Sequence, residues 1–379
     1  MAHVCDPLTI QIMSDENKNA VDRRKLLTGI GGAGIVGLAG CLGGDEPDEN
    51  GAGGDDDAGD DSDDPTDLVV ASGSEGSIGH SSATALQAML SSESDILRLT
   101  AQTSGGQAAN LRLYDEGQVD MSGFDNYNYV HAITSEGAFA DQPVENIQYQ
   151  AMTIATIHIY MVARADTDIE TYSDLAGRDV WPLGPGFGTR APTQAFFEEI
   201  GLWDEMEVSN MDAGDVPGAL EEGRLDAIGA YGSNFQTLPG WLQEVDARTD
   251  LKLIRMDDEY VETLQGMASI GHESIEAYGW DQDIQADEQP DGMIDSWLFQ
   301  MQFGLGTHVP EELGYELVKL THEHNESVRN NYGSFPDYDE NPDFATSALI
   351  DEYPVHPGAA EYYQEVDQWD DNLEIGTIE

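Results

Sequence analysis

Apolar positions along this 379-residue chain follow two periods, and from residue 68 onward stretches of the two alternate. Leu68–Ser72, Ile96–Thr100 and Val119–Gly123 are short apolar runs that predict strands. Between them Ile78–Leu90 and Gln107–Asp115 predict helices, the second closed by Gly117. Thr153–Arg164 (TIATIHIYMVAR) is a longer β-rich run, suited to cross from one half of a molecule to another. Beyond it, Asp179–Pro182, Leu225–Ala230 and Leu251–Met256 predict strands. Pro192–Ile200 and Val216–Glu222 predict helices stopped by Gly201 and Gly223, and Glu311–Asn330 and Ala359–Trp369 predict later helices. Strands alternating with helices predict an α/β fold with mainly parallel sheets.

One pattern occurs twice. Leu113–Gly123 (LYDEGQVDMSG) and Leu220–Ala230 (LEEGRLDAIGA) both run from a helix end through Glu-Gly, one residue, an aliphatic and Asp into a strand. Glycine suits the left-handed stop of the helix. The echo predicts two similar α/β lobes, one around each copy; coincidence of helix–glycine–strand punctuation is the alternative.

Charge changes the picture in one respect. The chain holds 74 acidic and 15 basic residues, a formal net charge of −59, with 40% hydrophobic residues. That apolar content belongs to a folded chain. Twelve acids and no base fall in residues 45–67, yet residues 68–379 still hold 58 acids against 11 bases. The surplus is therefore spread over the folded part. Such a surface repels itself at low salt, whereas molar salt shortens the screening length to about 3 Å. The composition reads as adaptation to very high salt, with an ordinary acidic protein as the blander reading. It argues against nucleic acid and anionic membrane surfaces as partners, since both need basic patches.

The first 41 residues read as an address. Arg23-Arg24-Lys25 precedes an uncharged stretch, residues 26–40. It is short for a membrane span, which takes about 20 residues, and fits the apolar region of a signal peptide. A buried helix after a basic turn is the other reading, and the stretch's six glycines argue against it. Leu38-Ala39-Gly40-Cys41 resembles a lipobox cleaved before a lipidated cysteine, and Arg23 and Arg24 resemble a twin-arginine export signal. Residues 1–41 are thus expected to be a signal peptide, with 1–12 a start-site artefact if translation begins at Met13. The expected product is exported and anchored by lipid at Cys41 to the outer face of the cell membrane. Cleavage leaves no free cysteine for a disulfide or a cysteine metal site. Residues 42–67 lack apolar periodicity and read as an acidic, disordered tether.

Candidate chemistry lies in three glycine-rich loops that open helices: Ser72–Ser82, Thr103–Asn110 and Gly184–Arg190. Unpaired N–H groups and the positive end of the helix dipole suit such places to anions, and Arg190 could add a full charge. Ordinary glycine turns are the alternative for each loop alone. No nucleotide-type G-x-x-x-x-G-K-[ST], no G-x-S-x-G elbow and no H-E-x-x-H occurs. His272–Glu276 (HESIE) and His322–Glu326 (HEHNE) place His and Glu at helical spacing, which in so acidic a chain reads first as a solvated face.

Taken in order, residues 71–90, TSGGQAANLRLYDEGQVD (103–120), RADTDIETYSDLAGRDV (164–180), GPGFGTR (184–190), ALEEGRLDAIGAYG (219–232) and YPVHPGAAEYYQE (353–365) resemble the solute receptors of the TAXI class of TRAP transporters. The resemblance implies a two-lobed periplasmic-binding-protein-like (type II) fold with a ligand cleft between lobes. It implies no catalysis, no cofactor and no metal. The implied ligand is a small organic acid or a glutamate-like amino acid, and the implied partner an ion-driven membrane permease. The first lobe is expected over 68–158 and 265–379, and the second over 159–264. Family members carry Gly-Gly-x-Tyr in the first loop; here Gly76-Ser77-Ile78-Gly79-His80 puts His80 where an aromatic is expected. The cleft is expected to gather Ser74, Ser77, His80, Asn126, Gly188, Thr189, Arg190 and Tyr231. Arg190 and helix-start N–H groups would hold a carboxylate. Tyr231 would stack or donate, or else simply pack; His80 would face the ligand or serve as a helix-cap partner. A receptor feeding an ABC importer is the nearest rival. A secreted hydrolase built on a carboxylate, His272 or His322 is further off, as is a structural surface protein.

Overall fold

The computed structural model describes residues 64–185, 187–267, 269–284 and 293–378. Arg23, Arg24, Cys41 and residues 42–63 of the acidic segment lie outside the described residues. The first strand starts at Thr66, inside the stretch read as tether, because Thr66 and Asp67 already pair with Leu97 and Arg98.

Strands β1 (Thr66–Ala71), β2 (Leu97–Gln102) and β3 (Met121–Asp125) run parallel in the order β2-β1-β3. Helices α1 (Ile78–Glu93) and α2 (Gln107–Asp115) connect them, and α3 (Asn126–Thr134) follows. The chain then enters β4 (Tyr149–Arg164), whose fourteen interior residues are all buried. A strand covered on both faces reads as an unbroken apolar run, which is what made it legible. Strands β5 (Asp179–Trp181), β6 (Glu207–Val208) and β7 (Ala227–Ser233) repeat the first arrangement as β6-β5-β7, with α4 (Arg190–Glu199) and α5 (Val216–Glu221) between them. After α6 (Gly240–Arg248), β8 (Leu251–Leu253), α7 (Asp258–Gln265) and β9 (Gly271–Glu276), strand β10 (Met293–Leu305) returns antiparallel to β4. Helices α8 (Glu311–Glu323), α9 (Asn325–Asn331) and α10 (Pro357–Glu365) complete the described chain.

The sheet order is β2-β1-β3-β10-β4-β7-β5-β6. Read from either end it gives two parallel strands, a third that closes a helix–glycine–strand unit, and then the two long crossing strands. This is a two-lobed α/β architecture, with β4 and β10 as the ribbon joining the lobes.

The sequence echo falls at equivalent places in the two lobes. Gly117 (φ +66°) ends α2 before β3, and Gly223 (φ +69°) ends α5 before β7. The aspartate of each copy does one job. Asp120 accepts the Val69 N–H through Oδ2 (2.8 Å) and donates its own N–H to Val69 O (3.0 Å). Asp226 does the same with Asp179, at 3.2 and 2.8 Å. Each clamps the middle strand of its lobe to the strand that follows.

Along β10, Trp297 pairs with Ile159 and His272, and the strand meets β3 only from Met301 on. Two expectations change. The helix read over 311–330 breaks at His324 (φ −113°, ψ 29°), because the buried Asn325 turns to Pro336 O and the Tyr338 N–H. His272–Glu276 is strand, not helix, since it pairs residue by residue along β10.

Candidate functional site

The first loop is shaped by close approach. A Cβ on Gly79 would lie 2.4 Å from Ser72 O, so glycine lets α1 close down on the end of β1, 3.7 Å from Met301 Cε. Ser77 caps α1, its hydroxyl accepting the His80 N–H at 3.2 Å. His80 Nδ1 lies 2.9 Å from Ser72 Oγ. Ser74 is exposed, and its carbonyl takes the Ser77 N–H at 3.0 Å.

The second loop is tied to the first. Ser104 Oγ accepts the Gly73 N–H at 3.0 Å and bonds the Asn110 side chain, and Asn110 Nδ2 donates to Gly123 O at 2.6 Å. Three strand ends of lobe 1 are thereby held together.

The third loop comes from lobe 2. A Cβ on Gly188 would stand 3.2 Å from Phe299 Cζ on the ribbon and 3.9 Å from Gln107 Nε2 at the start of α2. The helix starts of α1, α2 and α4 thus gather at the Phe299–Met301 stretch of β10, from both lobes. Thr189 is 5% exposed there and its hydroxyl has no hydrogen-bond partner, while its carbonyl takes the Thr193 hydroxyl at 2.7 Å. Tyr231 stands edge-on to Phe187, ring centres 6.4 Å apart, and burial pushes its phenol up, so it remains a proton donor.

Two expected residues are engaged elsewhere. The Arg190 guanidinium donates to Leu183 O (2.6 Å) and Asn210 Oδ1 (2.9 Å) and lies over the Trp203 ring at 4.6 Å. Those contacts brace the loop and leave the guanidinium tied to lobe 2. Asn126 opens α3, donates to Ala348 O (2.9 Å) and accepts from Gln302 Nε2 (2.8 Å). Gln300 and Gln302 alternate with Phe299 and Met301 along β10 and so face the other side of the ribbon. Asn126 accordingly lines a separate cavity of about 380 Å³. Next to it, Asp125 is fully buried, and burial pushes its carboxyl up to about 6 against hydrogen bonds from Asn128.

Sequence reading missed Phe187, Gln107, Phe299 and Met301. The signal for the last two was available: Trp297, Phe299, Met301 and Phe303 alternate with Leu298, Gln300 and Gln302 in one run.

The rival catalytic histidines have structural partners. His272 Nε2 bonds Asp295 (2.8 Å) and His322 Nδ1 bonds the Tyr362 hydroxyl (2.7 Å). Among the described residues, no group of three or more His, Cys, Asp or Glu is placed to hold a metal ion, and no helix is long and apolar enough to cross a membrane.

Residues 70–366 match the model of the NMT1-like family. The chain belongs to the NMT1-like family. Among solved structures, this NMT1-like chain is similar to a TctC solute-binding protein from Polaromonas, at 12% identity over 80% of this chain and 98% of that one, TM-score 0.46. It is similar to the periplasmic sulfonate-binding protein SsuA from Methylobacillus flagellatus, at 13% identity over 80% and 87% of the two chains, TM-score 0.43. It is also similar to the periplasmic aliphatic sulphonate-binding protein SsuA from Escherichia coli, at 12% identity over 80% and 90%, TM-score 0.37. The NMT1-like match spans both lobes and all three loops.

Proposed function

We propose that the chain is an extracytoplasmic solute receptor of the TAXI type, which captures a small organic anion and delivers it to a TRAP-type, ion-coupled permease. The observation that carries this reading is the meeting of three helix-opening loops, from both lobes, at one stretch of the joining ribbon, beside the buried and unpartnered Thr189 hydroxyl. Helix starts favour anions, and a cleft between lobes can close over a ligand, shifting the population towards the closed state. Ser74, Ser77, His80, Gly188, Thr189 and Tyr231 remain the proposed ligand contacts. Arg190 is proposed to act through the loop that it braces, and Asn126 through the ribbon. The resemblance of the ordered segments supports TRAP over ABC coupling, and the export signal and lipid anchor at Cys41 belong to the same proposal.

Native mass spectrometry of protein purified without refolding tests it. The expected result is a retained acid of low mass, displaced stoichiometrically by glutamate or a dicarboxylate. Turnover of a substrate, or a failure of every carboxylate to bind or displace, overturns the reading. A neighbouring permease gene rather than an ATPase gene separates the TRAP from the ABC version.

A further inference from the structure

The reverse face of the β4–β10 ribbon holds a second cavity, of about 300 Å³. Its floor is Thr156 from β4 with Leu298 and Gln300 from β10; Phe235 and Glu273 wall it, as does Phe344 from the segment that follows α9. It shares no residue with the three loops.

Thr156 is 3% exposed, and its hydroxyl has no hydrogen-bond partner. A buried polar group in that condition calls for an occupant that satisfies it. The aromatic wall is also held against a cost. Asn234 (φ +54°) and Phe235 (φ +55°) are successive non-glycine residues in the left-handed region, which L side chains disfavour. The Asn234 side chain enforces the turn: Oδ1 accepts the Thr156 N–H (2.8 Å) and Nδ2 donates to Ser334 O (2.8 Å). As a result Phe235 stands 45% exposed, its ring centre 4.4 Å from that of His158.

Glu273 supplies charge. The Tyr278 hydroxyl is 2.9 Å from His158 Nδ1, and His158 Nε2 is 3.0 Å from Glu273 Oε2. Only Oε2 of Glu273 is taken up in this chain of contacts, so its other oxygen is left for an occupant. No lysine or arginine lines the cavity among the described residues.

We propose that this cavity binds a small organic cation, an alkyl- or arylammonium, with its charge on Glu273, its apolar body against Phe235 and Phe344, and an N–H to the Thr156 hydroxyl. Aromatic faces attract such cations, and the attraction grows as water is excluded.

The test titrates 2-phenylethylammonium, with 2-phenylethanol as its neutral counterpart, against the full chain by saturation-transfer NMR in molar sodium chloride. The ammonium is expected to bind saturably, and the alcohol at least tenfold more weakly. Glu273→Gln and Phe235→Gly are each expected to weaken the ammonium at least tenfold. Both side chains are about half exposed, and glycine relieves the left-handed backbone, so both variants fold; circular dichroism checks this. Equal affinity for ammonium and alcohol, unchanged affinity in Glu273→Gln, or no saturable binding overturns the proposal. The carboxylate titration of the loops is independent of all these outcomes, so the two readings stand or fall separately.

Discussion

Thr189 and Arg190 are neighbours with opposite fates. The threonine hydroxyl is buried and unpartnered, while the guanidinium is held by Leu183 O, Asn210 and Trp203. Thr189→Val keeps the shape and removes the orphan. Stability of the ligand-free protein is expected to hold or rise, and affinity for the retained ligand to fall about three- to tenfold, as for one lost hydrogen bond. Calorimetric titration and a melting curve read the two separately. Arg190→Lys keeps the charge but loses the fork and the stacking. We expect it to cost about 1–3 kcal/mol of stability and to leave the affinity of the folded protein within threefold. Collapse of binding with stability intact would instead make the guanidinium a ligand contact. Arg190 illustrates what a residue's type conceals: its charge was plain in GPGFGTR, but its partners lie seven, thirteen and twenty residues away.

At the scale of elements, helix starts dominate. Gly79→Ala places a Cβ 2.4 Å from Ser72 O, in backbone that cannot swing aside. The expected cost is about 1–3 kcal/mol, measured by denaturant unfolding, together with weaker ligand binding as α1 lifts from β1. Asp125 caps α3 through the Asn128 N–H (2.9 Å). Its carboxyl is raised from 3.8 to about 6, so the native state holds that proton more tightly than the unfolded chain does. The resulting stabilisation is full below pH 3.8 and is lost as pH rises to about 6, by at most about 3 kcal/mol. Asparagine also caps helices. Asp125→Asn should therefore remove this pH dependence, seen as a wild-type-minus-variant difference that falls across that window. A flat difference would show that the carboxyl titrates normally. Periodicity located α2 to the residue and β4 to within four residues of its start, because one carries a clean helical stop and the other is buried on both faces. It missed α3, α6, α7 and β9, whose polar and apolar positions mix because each is covered on one side only in part, and β10, which is buried along most of its length but breaks its apolar run with Asp295, Ser296, Gln300 and Gln302.

For the whole molecule, scarcity of base is the governing fact. Of the 11 lysines and arginines beyond residue 67, seven pair with carboxylates, among them Arg164 with Asp166, Arg248 with Glu221 and Lys252 with Glu170. Arg98, Arg112 and Arg190 brace backbone carbonyls. Exposed pairs of this kind contribute little each, about 0–1 kcal/mol. They leave most of 58 acids without a partner of opposite charge. The melting temperature is therefore expected to climb steadily as potassium chloride goes from about 0.1 to 1 M, over which the screening length shrinks from about 10 to 3 Å. A melting temperature indifferent to salt would sink the salt-adaptation reading.

Sequence by itself determined the alternation of strand and helix, the crossing strand β4 and the two-lobe plan, because burial on both faces and glycine stops are local patterns. The twinned Asp120 and Asp226 were visible as an echo. Tertiary structure alone decided what those aspartates hold, where β10 passes from β9 to β3, and that Arg190 braces its loop while the Thr189 hydroxyl is left unpartnered. It also decided that Asn126 and Phe235 face the far side of the ribbon from the loops. Each of these depends on which strand lies beside which. Where β10 pairs with β3 and β4 from more than a hundred residues away, pairing is set by the closure of the whole fold rather than by any local run.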